Sequence, residues 1–275
     1  MCLVLSGINR YNIVLFSFFL FFSSCDRQTY EIHTNAFIAD AHNNILLKAM
    51  DGQNILTYLN HTHSDLEKFK IGGVDLQAFS VWVDPDKFTD KDYFHRANNM
   101  ISKLEYLCSR IPDNWKIIKS YQDINNNIRK NIMSCMIGID GGHVIGKDIN
   151  KIEHLYNRGM RYLSLTSDNS NYIGTSARDE ALNRFNPNKM GLTNFGRKVI
   201  SECNRLGIMV DISDAGEKTF WDVVNVTNKP LIASHSSVYT ICPDYRNLKD
   251  NQSKAIKNNG GVVFINFSPR YIDSA

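Results

Sequence analysis

Apolar positions recur at two different periods along this chain, and the alternation between them is clearest over residues 191–237. Thr193 can cap a helix in which Phe195, Val199, Ile200, Cys203 and Leu206 recur at steps of three and four before Gly207 stops it. Ile208 to Ile212 is a short run rich in branched residues, which predicts a buried strand ending at Ser213 and Asp214. A second helix carries Phe220, Val223 and Val224 on one face and must end before Pro230. Leu231 to Ser234 then predicts another buried strand, closed by His235. Both strands finish on a residue able to bind metal, and the carboxyl ends of strands are where chemistry collects in parallel α/β folds.

The same alternation runs through the rest of the chain. Phe37 to Ala39 leads as a first strand into Asp40-Ala41-His42-Asn43-Asn44, and the periodicity of Ile45 to Asn60 predicts a helix. Gly72-Gly73-Val74 opens a strand reaching Val83, and residues 91–108 form a helix with Met100, Ile101, Leu104 and Leu107 along it. Met133 to Ile139 is a strand ending in Asp140-Gly141-Gly142-His143. A helix over Ile152 to Asn157, stopped by Gly159, precedes a strand from Arg161 to Leu165. Ser170 to Lys189 has the polar composition of an excursion over a barrel mouth, Gln252 to Asn259 is a helix, and Gly261 to Phe267 a further strand. Strands near residues 37, 74, 133, 161, 208, 231 and 262 place the chain in the α/β class, as a TIM-like (β/α)8 barrel with about seven of its eight strands.

Composition narrows the picture. A chain of 275 residues suits one large α/β domain, and 31 basic against 28 acidic residues give a net charge of +3, too balanced to argue for nucleic acid or an anionic membrane surface. The N-terminus stands apart. Arg10 precedes an apolar run from Ile13 to Phe22, shorter than a membrane-spanning helix needs, so residues 1–24 read as a signal peptide. Phe22-Ser23-Ser24-Cys25 resembles a bacterial lipoprotein processing site, which would make Cys25 the lipidated first residue of a mature chain anchored in the cell envelope; an ordinary signal peptide and an uncleaved anchor stay open as alternatives. Residues 25–35 then form a tether and 36–275 the barrel. Of the remaining cysteines, Cys108, Cys135, Cys203 and Cys242 show no C-x-x-C spacing, and Cys135 and Cys203 sit on apolar faces as core residues.

The strand-end motifs carry a resemblance. Asp40-Ala41-His42-Asn43-Asn44, Asp140-Gly141-Gly142-His143, Ser213-Asp214, Ser234-His235-Ser236 and the loop Cys242-Pro243-Asp244-Tyr245-Arg246-Asn247 together resemble the membrane (renal) dipeptidase family, peptidase family M19. The resemblance implies a metallo-hydrolase barrel that cleaves dipeptides with two zinc ions, and a homodimer as its assembly. It implies His42, Asn44, Asp140, Asp214 and His235 as the metal positions, Asp140 as the catalytic carboxylate that bridges the ions, and Arg246 and Ser167 as substrate-binding residues. Members of that family continue past the point matching Phe267, with a late Asp and a closing strand.

This chain departs from the family pattern at several of those positions. Asn44 stands where the family has a carboxylate, Asp214 where it has a histidine, Asp140 where it has a glutamate, and Ser167 where renal-type members have a histidine. Asp140 is one methylene shorter, so its oxygens lie about 1.5 Å nearer the backbone. The exchanges leave two carboxylates and two imidazoles in the set and shift it toward oxygen-preferring ions such as manganese or magnesium, with weak binding of one divalent ion as the expectation. Two residues carry alternative readings: Asp214 is a ligand or, with Glu217 three residues on, a helix cap, and Arg246 is a carboxylate clamp or a solvated loop arginine. His61-Thr62-His63 reads as an exposed loop pair, and His143 as structural. Three functions remain open: a lipid-anchored metallodipeptidase, a noncatalytic dipeptidase-like binding or structural lipoprotein, and a truncated product that folds poorly.

Overall fold

The computed structural model describes residues 31–184 and 190–273. The signal peptide, Cys25 and the start of the tether lie outside the described residues. The chain divides into two units, Met1–Ile38 and Ala39–Ala275. In the first, residues 31–35 form one exposed helical turn; the second holds the sheet. No helix among the described residues is long and apolar enough to cross a membrane.

Eight strands are present among the described residues: β1 (Ile38–Asn43), β2 (Val74–Trp82), β3 (Trp115–Ile117), β4 (Met133–Asp140), β5 (Met160–Ser164), β6 (Met209–Asp211), β7 (Leu231–Ser236) and β8 (Val262–Ile265). Seven of them run in the order β1-β2-β4-β5-β6-β7-β8, with the short β3 paired to β4. The pairings from β2 to β8 are parallel. The result is a nearly closed barrel of parallel strands. Helices α1 (Ile45–Met50), α2 (Leu66–Ile71), α3 (Tyr93–Arg110), α4 (Tyr121–Ile128), α5 (Asn150–Arg158), α6 (Ala177–Ala181), α7 (Asn194–Leu206), α8 (Glu217–Val226) and α9 (Asp250–Asn258) fill the connections.

Strand β4 is buried at every position, as a strand covered on both faces must be. Its alternate residues Cys135, Ile137 and Ile139 join the large core that also takes Leu46, Met100, Ile101 and Leu104 from the helices. Met136 joins a smaller cluster with Leu76, Ala78, Tyr162 and Ile232. Period-two alternation puts Asp140 on the same face as Met136 and Gly138. Register then levels the strand ends: Trp82 pairs with Asp140, and Ser164 with Asp211.

Most predicted elements appear where the apolar periods put them, including the capped helix α7, in which Thr193 accepts from the Gly196 N–H and Gly207 closes the end at φ +76°. Three regions differ. The helix expected over Ile45 to Asn60 ends at Met50, because Gly52 at φ +86° turns the chain out of the helix. Strand β3 and helix α4 lie outside the predicted elements, although Ser120 accepts from the Asp123 N–H, a capping signal visible as Ser-x-x-Asp. The polar stretch expected as an excursion is anchored instead, with Ile173 to Ala177 buried; residues 185–189 lie outside the described residues.

Gly138 marks the tightest packing near the strand ends. A Cβ there would overlap the ring of Tyr162, a fully buried phenol whose hydroxyl lies 3.4 Å from His42 Nδ1. Gly138→Ala is therefore expected to destabilise the protein by about 1–3 kcal/mol, the usual cost of overpacking a filled core. Urea unfolding of the variant beside the parent checks this, and equal midpoints would show that Tyr162 has room to move.

Candidate metal centre

Three strand ends deliver one cluster. His42 comes from β1, Asp140 from β4 and His235 from β7, and one ligand atom from each lies within 4.8 Å of the others. His42 Nε2 is 3.6 Å from Asp140 Oδ2, and the two imidazoles stack with centroids 3.8 Å apart. Strict alternation would place His235 with Leu231 and Ala233, on the helix-facing side of β7. The pairing of β7 with β8 shifts register between Ala233 and Ser236, and irregularities of this kind re-aim side chains. Among the described residues no other His, Cys, Asp or Glu trio converges in this way.

The trio is poorly compensated as it stands. Asp140 Oδ1 is buried and has no hydrogen-bond partner, an arrangement that costs free energy unless a donor or a cation completes it. Burial, reinforced by the Asp214 and Asp211 carboxylates and opposed by His235, pushes the Asp140 carboxyl up to about 7. Burial and the adjacent His235 hold His42 well below its ordinary value. Burial also acts against a charged His235, yet contact with the Asp214 carboxylate and the charges of Asp214 and Asp140 together outweigh it and raise that imidazole. A bound cation would relieve the first two conflicts at once, so the residues present fit a divalent metal.

Of the two readings of Asp214 from the sequence, the helix cap fails. Helix α8 starts after Gly216 with no side-chain cap, so Asp214 is not its cap. The residue takes a left-handed backbone at φ +62°, uncommon outside glycine, and so turns its carboxylate inward. That carboxylate lies 3.1 Å from His235 Nε2 and accepts from Arg246 Nη2 at 2.8 Å, with Arg246 Nε against its other oxygen. Burial opposes this charge, but Arg246 and His235 win and hold the Asp214 carboxyl well below the usual range.

Arg246 is equally committed. Its Nη1 donates to the Tyr271 hydroxyl at 3.1 Å, its guanidinium lies 4.7 Å from the centre of the Tyr271 ring, and its side chain is 15% exposed. It is not a solvated loop arginine. A cavity of about 340 Å³ is lined by Asp214, Arg246, Tyr239, Tyr245, Glu217 and Lys249, among others, but not by the trio. The Asp214–Arg246 pair therefore borders both the cavity and the centre.

The other expected site residues scatter. Asn44 is exposed just ahead of α1, and Ser167 is buried, accepting from Trp82 Nε1 at 2.9 Å. His143 bonds the Val83 carbonyl at 2.8 Å, a structural role, and His61 reaches only Gln53. Cys108, Cys135, Cys203 and Cys242 are buried and free. Sequence reasoning missed Asp211, a fully buried carboxylate that accepts from four donors around β5, β6 and β7. The signal was present: an acid inside the branched run from Ile208 to Ile212 must be buried, and a buried acid needs partners.

Comparison with known proteins agrees with this fold. The sequence model of the membrane dipeptidase family, peptidase family M19, matches residues 26–275. Dipeptidase 3 of Mus musculus is 31% identical over 237 residues, which cover 84% of this chain and 47% of that protein. The chain thus spans about half the length of that curated relative. A solved M19 metallopeptidase, dipeptidase AC, superposes with a TM-score of 0.77 at 27% identity, over 86% of this chain and 73% of the other. A metallopeptidase from Rhodobacter sphaeroides, solved with a phosphinate mimic of the dipeptide L-Ala-D-Ala, shares the fold with a TM-score of 0.76 at 24% identity, over 86% and 75%.

Asp140 gives the centre a pH signature. Its folded-state pKa lies above its ordinary value of 3.8, so the folded chain holds this proton more tightly than the unfolded chain does. Its contribution to stability is complete below about pH 4 and is lost as pH rises through about 7. Unfolding measured in chelator at pH 5 and pH 8 should show that Asp140→Asn, compared with the parent, gains relative stability at the higher pH. A difference independent of pH would mean that Asp140 ionises normally.

Proposed function

The chain belongs to the membrane dipeptidase family, peptidase family M19, and from that premise we propose that it is a metal-dependent hydrolase of dipeptides whose centre binds one divalent ion. The observation that carries this reading is the convergence of His42, Asp140 and His235, with Asp140 Oδ1 buried and unpartnered among them. Two imidazoles and one carboxylate match the three-ligand sets of catalytic zinc sites. With Asn44 exposed and Asp214 engaged by Arg246, the donors left are softer than the five positions taken together, which favours zinc over manganese or magnesium. When bound there, the ion supplies a Lewis acid and a water of lowered pKa.

The chain's own residues supply the rest. His42 and His235 hold their ring nitrogens toward Asp140, and the neighbouring 340 Å³ cavity, bordered by Asp214 and Arg246, is the place for a small peptide. Asp140, whose Oδ1 is buried and unpartnered beside the two imidazoles, stands nearest to the role of proton acceptor. A second reading, a noncatalytic metal-binding relative, is favoured by the Arg246–Asp214 pair, which already engages that guanidinium with a carboxylate of the chain itself. Elemental analysis with dipeptide hydrolysis assays separates the two. About one zinc per chain, with turnover that falls at least about 100-fold in His235→Ala, supports the hydrolase; one zinc without turnover supports the relative; two tightly held zincs overturn the one-ion centre.

The reading extends to location. The leader over residues 1–24 and the lipoprotein-like Phe22-Ser23-Ser24-Cys25 support a lipid-anchored place in the bacterial cell envelope. In cells fed labelled palmitate, the parent should carry the label and Cys25→Ala should not; label retained by the variant would remove Cys25 from this role.

A further inference from the structure

We propose that Asp211, acting through the Ser234 hydroxyl, is a positioning residue that keeps the ring proton of His235 on Nδ1 and leaves the Nε2 lone pair for the metal. This rests on the metal-centre reading above and assigns residues outside the ligand trio.

The proton inventory leads to it. Asp211 is fully buried and accepts four hydrogen bonds: on Oδ1 from the backbone N–H groups of Ser213 at 3.0 Å and Ser234 at 2.9 Å, and on Oδ2 from the hydroxyls of Ser164 at 2.5 Å and Ser234 at 2.6 Å. A carboxylate has no proton to return, so the Ser234 hydroxyl hydrogen is committed to Asp211. Ser234 Oγ also lies 2.7 Å from His235 Nδ1 and can meet it only with a lone pair. Nδ1 must therefore carry the proton. A metal-ligating imidazole is usually fixed in this way, by the hydrogen bond on its other nitrogen.

Asp214 competes for the same proton. It sits 3.1 Å from His235 Nε2 and would favour the opposite tautomer. Its carboxylate is already served by Arg246, however, whereas the Ser234–Asp211 contact at 2.6 Å cannot persist without the hydroxyl hydrogen between the two oxygens. The backbone supports the arrangement as well, since the His235 N–H donates to Ser213 Oγ at 3.1 Å and so ties the ring's own residue to the strand next to it.

The substitution Asp211→Asn separates this role from simple packing. Its amide carbonyl must stay on the two backbone N–H groups, which places the NH2 against Ser164 and Ser234. Ser234 then accepts from the amide and donates to His235 Nδ1, and the ring proton moves to Nε2. Two-bond nitrogen–proton correlation spectra of the metal-free, histidine-labelled full chain read this directly at a pH where the ring is neutral, with the His235 signals assigned from their loss in His235→Gln. The expected result is Nδ1–H in the parent, Nε2–H in Asp211→Asn, and Nε2–H in Ser234→Ala, where Asp214 is the remaining acceptor. Zinc affinity should fall about 10–100-fold in both variants and return in Ser234→Thr.

Nε2–H in the parent, or Nδ1–H retained in Asp211→Asn, would overturn the proposal. Should Asp211→Asn fail to fold, Ser234→Ala carries the test, with Nδ1–H retained as its overturning result. Tautomers that switch as expected in a chain that binds no zinc would uphold the role of Asp211 and overturn the metal-centre reading.

Discussion

Charge taken out of water has to be compensated, and that constraint shapes the rim of this barrel. Asp140, Asp214, His235 and Arg246 are buried or nearly so, with His42 beside them. Asp214 accepts from Arg246, lies against His235, and is stabilised as an anion. Asp140 is left facing two imidazoles with one oxygen unpartnered, and it is the group whose charge is least supported. One positive charge beside it would balance the cluster. That deficit, more than any single distance, is why the rim reads as a cation site.

The Asp214–Arg246 pair also bears on what the site can recognise. A ligand carboxylate that took the place of Asp214 on Arg246 would strip a buried charge of its partner, at a cost of about 3–5 kcal/mol. Recognition through the rest of the cavity wall, where Tyr239, Tyr245 and the Lys249–Glu217 pair stand, carries no such penalty. Asp214 thus links the centre and the cavity, lying 3.1 Å from His235 and paired with Arg246.

Behind the rim, the strands hold these groups at one level. Parallel register sets Trp82 beside Asp140 and Ser164 beside Asp211, while Gly138 leaves room for the Tyr162 ring, which reaches His42. The Asp211 carboxylate ties β5, β6 and β7 together through serine hydroxyls and backbone N–H groups in a place buried from bulk solvent. Polar atoms there have to satisfy one another, so the network is both structural and directional.

The sequence by itself determined the barrel and its chemistry-bearing edge. Apolar runs of strand length alternating with helical periods define parallel α/β architecture, and His42, Asp140 and His235 could be picked out because each closes such a run at a motif resembling a metal position of the dipeptidase family. It also held overlooked signals, the Ser120-x-x-Asp123 cap and the acid inside the 208–212 run. Only the tertiary structure decided which of the five expected metal positions meet. Asn44 is exposed, and the left-handed turn at Asp214 commits its carboxylate to Arg246, thirty-two residues further along the chain. The physical reason is that local periodicity fixes which face of an element is buried, whereas the pairing of buried charges depends on side chains that become neighbours only once the strands are in register.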